Sequence, residues 1–345
     1  MIINGEKKIY KSSKNNNTIN LGIELLRMIL CFWVIFLHYS GKDYQNKKIL
    51  KTYFHVPTFM LISFYFSNKI FISKNMIKVK QRLQRLIIPF VIIPIIDLGI
   101  KIGLSNRNIL SNFKSIILIL LLQYITGCKT YIIIWFVLDL IIITIFFEII
   151  FYFFTKKIII ILQLLIIISY WLQYSEINFI IFNKYEECLN SISRFIEMMP
   201  IASTGVILGY NELIKKIETY RINSLFSCFL IILFIYNYNL FGNFRGFYYS
   251  GIKQNIASIC LFIFFALIPL KKINKTLFFN IIKIITNYTG GIYYFQSILN
   301  LLLSKINYLK KQFVLKCFFI YIMGYIICLF GNIVFKKNKL KYLFI

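Results

Sequence analysis

A chain of 345 residues that is 59% hydrophobic, with a mean hydropathy of +0.73, carries more apolar surface than a soluble domain can hide. That excludes a soluble globular protein and indicates a polytopic membrane protein. The formal charge of +28 would suggest nucleic acid in a soluble chain. Here the basic residues fall mostly between apolar runs, where orientation and lipid headgroups account for them, and no nucleic-acid partner is expected.

Residues 1–20 are polar and basic, with Lys7, Lys8, Lys11 and Lys14 ahead of a Ser/Asn-rich run, and read as a cytoplasmic tail. The apolar stretch Leu21 to Ser40 is too long for a signal sequence and has no small-residue cleavage site, so it is retained as the first span. It also carries Glu24, Arg27 and His38. Ionisable groups inside a span are costly and usually functional. Arg27 and His38 are separated by roughly 16 Å along a helix axis and lie within about 20° of one face. The plainer alternative is an Arg that snorkels to one interface and a His near the other.

Further apolar runs follow at 54–72, 86–104, 131–154, 157–174, 195–212, 222–240, 253–270, 284–303 and 313–335. Each approaches the roughly 20 residues a helix needs to cross the hydrocarbon. The expected fold is therefore an all-α membrane bundle of about ten transmembrane helices spanning 21–335. A short basic tail, 336–345, would follow it. The run 110–126 is short, contains Lys114 and Gln123, and reads as an interfacial or re-entrant helix. With both termini cytoplasmic, more than half of the 40 Lys and Arg residues fall on the cytoplasmic side.

Several spans hold further polar groups: Asp97, Asp139, Glu148, Glu197 and Gln296. In a bundle these point inward. Asp139 and Glu148 are either functional or paired structural groups, because position alone does not separate the two. Gly205 and Gly209 stand at i and i+4, a spacing that suits close helix packing. The seven cysteines show no CxxC or metal-ligand spacing and read as apolar filler. No metal is expected.

Four segments read together resemble the integral-membrane acyltransferase type 3 family. They are Glu24-Leu-Leu-Arg27 followed by ten residues and then His38, and Phe54-His55-Val56-Pro57-Thr58-Phe59-Met60-Leu61-Ile62-Ser63. The others are Arg82-Leu-Gln-Arg85-Leu-Ile-Ile-Pro89 and Thr289-Gly290-Gly291-Ile292-Tyr293-Tyr294-Phe295. Trp135-Phe136 and the stretch from Met199-Pro200 to Gly209-Tyr210 are weaker echoes. The likeness runs from about residue 20 to 335. Two positions depart from the family pattern: Phe64 follows Ser63 where Gly is common, and Gln296 stands where the late element often has His.

The resemblance implies transfer of an acyl group, usually acetyl, from cytoplasmic acyl-CoA to a hydroxyl of a cell-surface carbohydrate. On that reading acyl-CoA is the donor substrate, and the carbohydrate and membrane lipids are the partners. His38 is the expected base, since a neutral imidazole suits removal of a hydroxyl proton near neutral pH. Arg27 would attract the thioester end of the donor or hold Glu24. His55 either assists His38 or caps the second helix at the interface. Arg82 and Arg85, three apart on one face, suit the phosphates of CoA, or else anchor the cytoplasmic side. A transporter or lipid-linked sugar flippase is the alternative from another class. A membrane scaffold would leave Arg27 and His38 unexplained.

Overall fold

The structure, a computed structural model, describes residues 20–39, 54–105, 113–126, 134–154, 157–174, 189–211, 214, 229, 230, 233, 252–268, 277–306 and 312–345. Among them are eleven α-helices and no strand. The first, α1 (Leu21–Tyr39), is started by Asn20. Its Oδ1 accepts from the Ile23 backbone N–H at 3.2 Å, satisfying a donor that the first helical turn leaves open. Its Nδ2 donates to the Ala266 carbonyl at 2.8 Å and so ties the helix start to a distant segment.

Helix α1 sits between two apolar clusters. Ile23, Leu26 and Leu30 belong to one, and Cys31 and Ile35 to the other. The first cluster is built with α2 (His55–Ile72), α5 (Trp135–Phe153), α6 (Ile158–Tyr174), α7 (Leu189–Tyr210) and α8 (Ile252–Leu267). The second draws on α3 (Met76–Ser105), α10 (Thr289–Leu303) and α11 (Phe313–Val334). Helices α4 (Phe113–Thr126) and α9 (Leu277–Thr286) complete the set. The helix that carries Arg27 and His38 thus contributes side chains to both halves of the interior, as α5 does through Phe136 on one side and Val137 and Ile141 on the other.

The closest packing is between α2 and α7, and glycine permits it. A Cβ on Gly205 would stand 2.6 Å from the Leu61 carbonyl oxygen and 3.2 Å from the Tyr65 nitrogen. One on Gly209 would stand 2.7 Å from the Tyr65 oxygen. These are backbone atoms, which cannot swing aside, so the small-residue spacing is a packing device. Around it Phe64 meets Phe147 edge-on at 5.2 Å, and Phe71 stacks on Phe151 at 5.4 Å.

Polarity is distributed as a membrane solvent demands. His55, Asn68, Asp97, Asp139, Glu197 and Gln296 are buried, while Ile322, Ile326, Phe330 and Ile333 of α11 face outward, as do Ile160, Leu164 and Ile167 of α6. Four helices are long and apolar enough to cross a membrane, over Leu21–His38, Met76–Ile100, Trp135–Phe153 and Val314–Val334. The stretches Ile116–Ile125, Ile158–Gln173 and Gln254–Leu267 are apolar but shorter. Most of the run 222–240 lies outside the described residues, as do residues 1–19.

Helix α7 starts at Leu189, ahead of the expected run 195–212, and two further boundaries that differ from the sequence expectation bear on the site. Helix α3 begins at Met76 rather than near residue 86, because the basic stretch from Lys78 to Arg85 stays helical beyond the apolar run. Pro89 and Pro94 lie inside it. Each removes one ladder donor, a cost that membrane helices tolerate where neighbours satisfy the freed carbonyls. The run 284–303 is broken at Asn287-Tyr288, so that α10 starts afresh at Thr289. The Thr289 hydroxyl donates back to the Thr286 carbonyl at 3.0 Å and helps close that break. Past α11, a 3₁₀ turn (Lys339–Leu343) folds back on the bundle, and Phe344 stacks on Phe295 at 5.6 Å.

Candidate active site

A cavity of about 450 Å³ opens among α1, α2, α3, α5 and α10. Its charged lining is Glu24, Arg27, Arg82 and Arg85. Four residues singled out in two separate sequence segments are therefore brought together in one chamber. Three guanidiniums against one carboxylate leave it net positive. Its size falls in the range of small-molecule sites, roughly 300–1,000 Å³.

Each arginine is held differently. Arg27 Nη1 donates to Glu24 Oε2 at 3.0 Å, one helical turn away on α1. Its Nη2 donates to the Thr289 hydroxyl at 3.2 Å, at the start of α10. The break before Thr289 is what brings that hydroxyl to α1. Arg82 is gripped by neutral groups: Nε donates to Thr144 Oγ1 at 3.2 Å and Nη2 to Ser63 Oγ at 2.9 Å. Its guanidinium carbon also lies 5.3 Å from the centre of the Phe64 ring. Phe64 is the residue that departs from the family pattern, and here it supplies the face on which Arg82 rests. Arg85 is more exposed and lies over Tyr342 at 5.8 Å. The two arginines share a face of α3, as their spacing requires, but only Arg82 is drawn toward the interior.

The two histidines lie elsewhere. His38 and His55 line a separate small cleft with Val34, Val56, Phe59, Trp135, Phe136 and Tyr293. Its free volume is about 10 Å³, about the space of one water-sized probe. His55 opens α2 and is 3% exposed. It faces the cleft that His38 also lines. His38 is exposed in the last turn of α1.

Three residues line both cavities: Phe59 of α2, Phe136 of α5 and Tyr293 of α10. Their rings are in contact. Phe59 and Phe136 have centroids 6.4 Å apart, and Phe136 and Tyr293 6.2 Å apart with planes at 65°. This aromatic wall separates the arginine chamber from the histidine cleft. Behind it, the Arg194 guanidinium lies 5.4 Å from the Trp135 ring, and its Nε is 3.5 Å from Asp139 Oδ2. Asp139 is fully buried, so of its two readings the structure supports the paired structural one.

Ser63 and Thr289 stood inside the family-like phrases without a role, and Thr144 carried no signal at all. Nothing marks one threonine among the apolar residues of α5 as the partner of an arginine on α3. The aromatic wall was equally hidden, since Phe and Tyr are common throughout the chain.

A helical bundle with apolar flanks and buried polar groups, holding a net-positive chamber next to a pair of histidines, has the character of a membrane protein with an internal polar site. Residues 20–336 match the family model described as an acyltransferase domain, and the chain belongs to this membrane acyltransferase family. It is accordingly an acyltransferase. No curated protein and no solved structure matches it.

Proposed function

We propose that the protein is a membrane O-acyltransferase that moves an acyl group, acetyl in the first instance, from cytoplasmic acyl-CoA to a hydroxyl of a surface or exported carbohydrate. The observation that carries this is the pairing of a three-arginine chamber with a two-histidine cleft across one aromatic wall. Guanidinium forks bind phosphate oxygens bidentately, and the donor is rich in phosphate. Arg82 and Arg85 take the phosphates on the cytoplasmic side. Arg27 receives the thioester end of the donor.

On the far side, His38 accepts the proton of the attacking hydroxyl while the hydroxyl oxygen bonds to the thioester carbonyl carbon. The C–S bond then breaks, CoA leaves as thiolate, and the proton ends on its sulfur. Mass and charge balance with no further reactant. His55, buried in the same cleft, orients or assists His38. The chain is read with ten spans and both termini cytoplasmic, so that donor and acceptor approach from opposite faces.

Two measurements test this. Incubating membranes with labelled acetyl-CoA is expected to leave label on a membrane carbohydrate as an alkali-labile ester. Movement of a substrate with no such ester, even in the wild-type protein, would replace this reading with transport. A cysteine placed at Lys339 is expected to react with an impermeant reagent only from the cytoplasmic side. Labelling from outside alone would overturn the even span count.

A further inference from the structure

The wall between the two cavities suggests more than separation. Phe59, Phe136 and Tyr293 come from three helices, and Phe136 is buried, meeting Trp135 edge-on at 6.1 Å as well as its two partners in the wall. With space for only about one water beyond it, no acyl chain fits in the histidine cleft unless a ring turns. A two-carbon acyl group needs the displacement of one ring edge. Each further methylene needs more, and these rings are backed by packed helices whose interior is dense enough to resist it.

We propose that Phe59, Phe136 and Tyr293 form a septum that selects the acyl donor by chain length, admitting acetyl to the histidines and refusing longer acyl groups. The three are specificity-determining residues, touching the acyl group in passage. The proposal rests on the donor and acceptor sides assigned above. It adds that discrimination lies in the wall and not in the arginine chamber, which holds the same CoA moiety whatever acyl chain is attached. Longer donors should therefore dock as well as acetyl-CoA and differ in transfer alone.

The test uses the full-length protein in native membrane vesicles, which carry their own acceptor, opened to admit donor. CoA thiol release above that of vesicles lacking the protein is measured with acetyl-, butyryl- and octanoyl-CoA. Wild type is expected to favour acetyl over octanoyl by at least the roughly 10- to 200-fold that a single methylene difference can impose. Phe136→Ala and Phe59→Ala should cut that preference by about tenfold or more, by raising turnover of the longer donors with little change in their KM. Phe136→Leu and Phe59→Leu, which keep an apolar group at each site, should give smaller shifts in the same direction and remain informative if the alanine variants do not fold. An unchanged acetyl-to-octanoyl ratio in the variants that retain activity would overturn the septum and leave the acyltransferase reading standing. Equal use of all three donors by the wild type would do the same. No thiol release from any donor in the wild type would instead defeat the underlying assignment of sides, and the septum with it.

Discussion

Arg82 offers the sharpest test of the donor site. A guanidinium has five N–H donors. Thr144 takes one, at Nε, and Ser63 takes another, at Nη2. Three therefore remain to point at an anion in the chamber, on a group already fixed by two hydroxyls and an aromatic face. Arg82→Gln removes the charge and most of the fork. Hydrogen bonds to charged groups contribute about 1.5–3 kcal/mol each, so losing one phosphate contact should weaken CoA binding about 10- to 150-fold. Arg82→Lys keeps the charge but cannot hold both hydroxyls and the anion at once, and should recover only part of the loss. Ser63→Ala and Thr144→Val leave the cation in place but loosen it, for about 0.5–1.5 kcal/mol, or roughly two- to tenfold. The assay is equilibrium binding of labelled CoA to purified protein in detergent, with thermal unfolding run alongside to confirm that each variant is folded. Added salt should weaken binding by the wild type more than by Arg82→Gln, since fewer charges remain to be screened. A folded Arg82→Gln protein with wild-type CoA affinity would refute the donor site and leave Arg82 as a structural anchor.

His38→Ala and His38→Gln should each lower acyl transfer by about 10²–10⁴ while CoA binding persists, since neither replacement can act as a base near pH 7; full transfer by His38→Gln would end its role as the base. His55→Gln should lower transfer by a smaller factor in the same assay. Gly205→Ala forces a methyl to within 2.6 Å of the Leu61 carbonyl oxygen and should cost about 1–3 kcal/mol by prising α2 from α7, read as a lower Tm in detergent. Asp139→Asn leaves Arg194 without its charge partner in a buried setting, where breaking a pair costs about 3–5 kcal/mol; the double variant Asp139→Leu with Arg194→Met should regain most of that stability, and failure to do so would mean that the pair does more than neutralise charge.

Much of the site was legible because its residues follow local rules. Helix periodicity alone sets Arg27 and His38 on one face of α1, and Arg82 and Arg85 on one face of α3. The apolar runs likewise located α1, α2, α6 and α11 to within a few residues, because the bilayer imposes both length and composition. The family-like phrases spanned nearly the whole region that the acyltransferase model matches. Hydropathy could not show that α3 runs on past its apolar run as a basic helix, since helices do not stop where the hydrocarbon does. Nor could it show the break at Asn287-Tyr288, which divides one apolar run in two and lets Thr289 reach Arg27.

What only the tertiary structure decided is which distant residues meet. Sequence determined that this chain is a helical membrane protein, that its first helix bears a cation and an imidazole on a shared face, and that a pair of arginines precedes Pro89. That three of those charges share a chamber, that both histidines lie outside it, and that Phe59, Phe136 and Tyr293 stand between are consequences of how α1, α2, α3, α5 and α10 pack. Periodicity is a property of one helix and can be read from one segment. A wall built from three helices depends on their mutual rotation and depth, which side-chain packing sets across more than 200 residues of intervening chain.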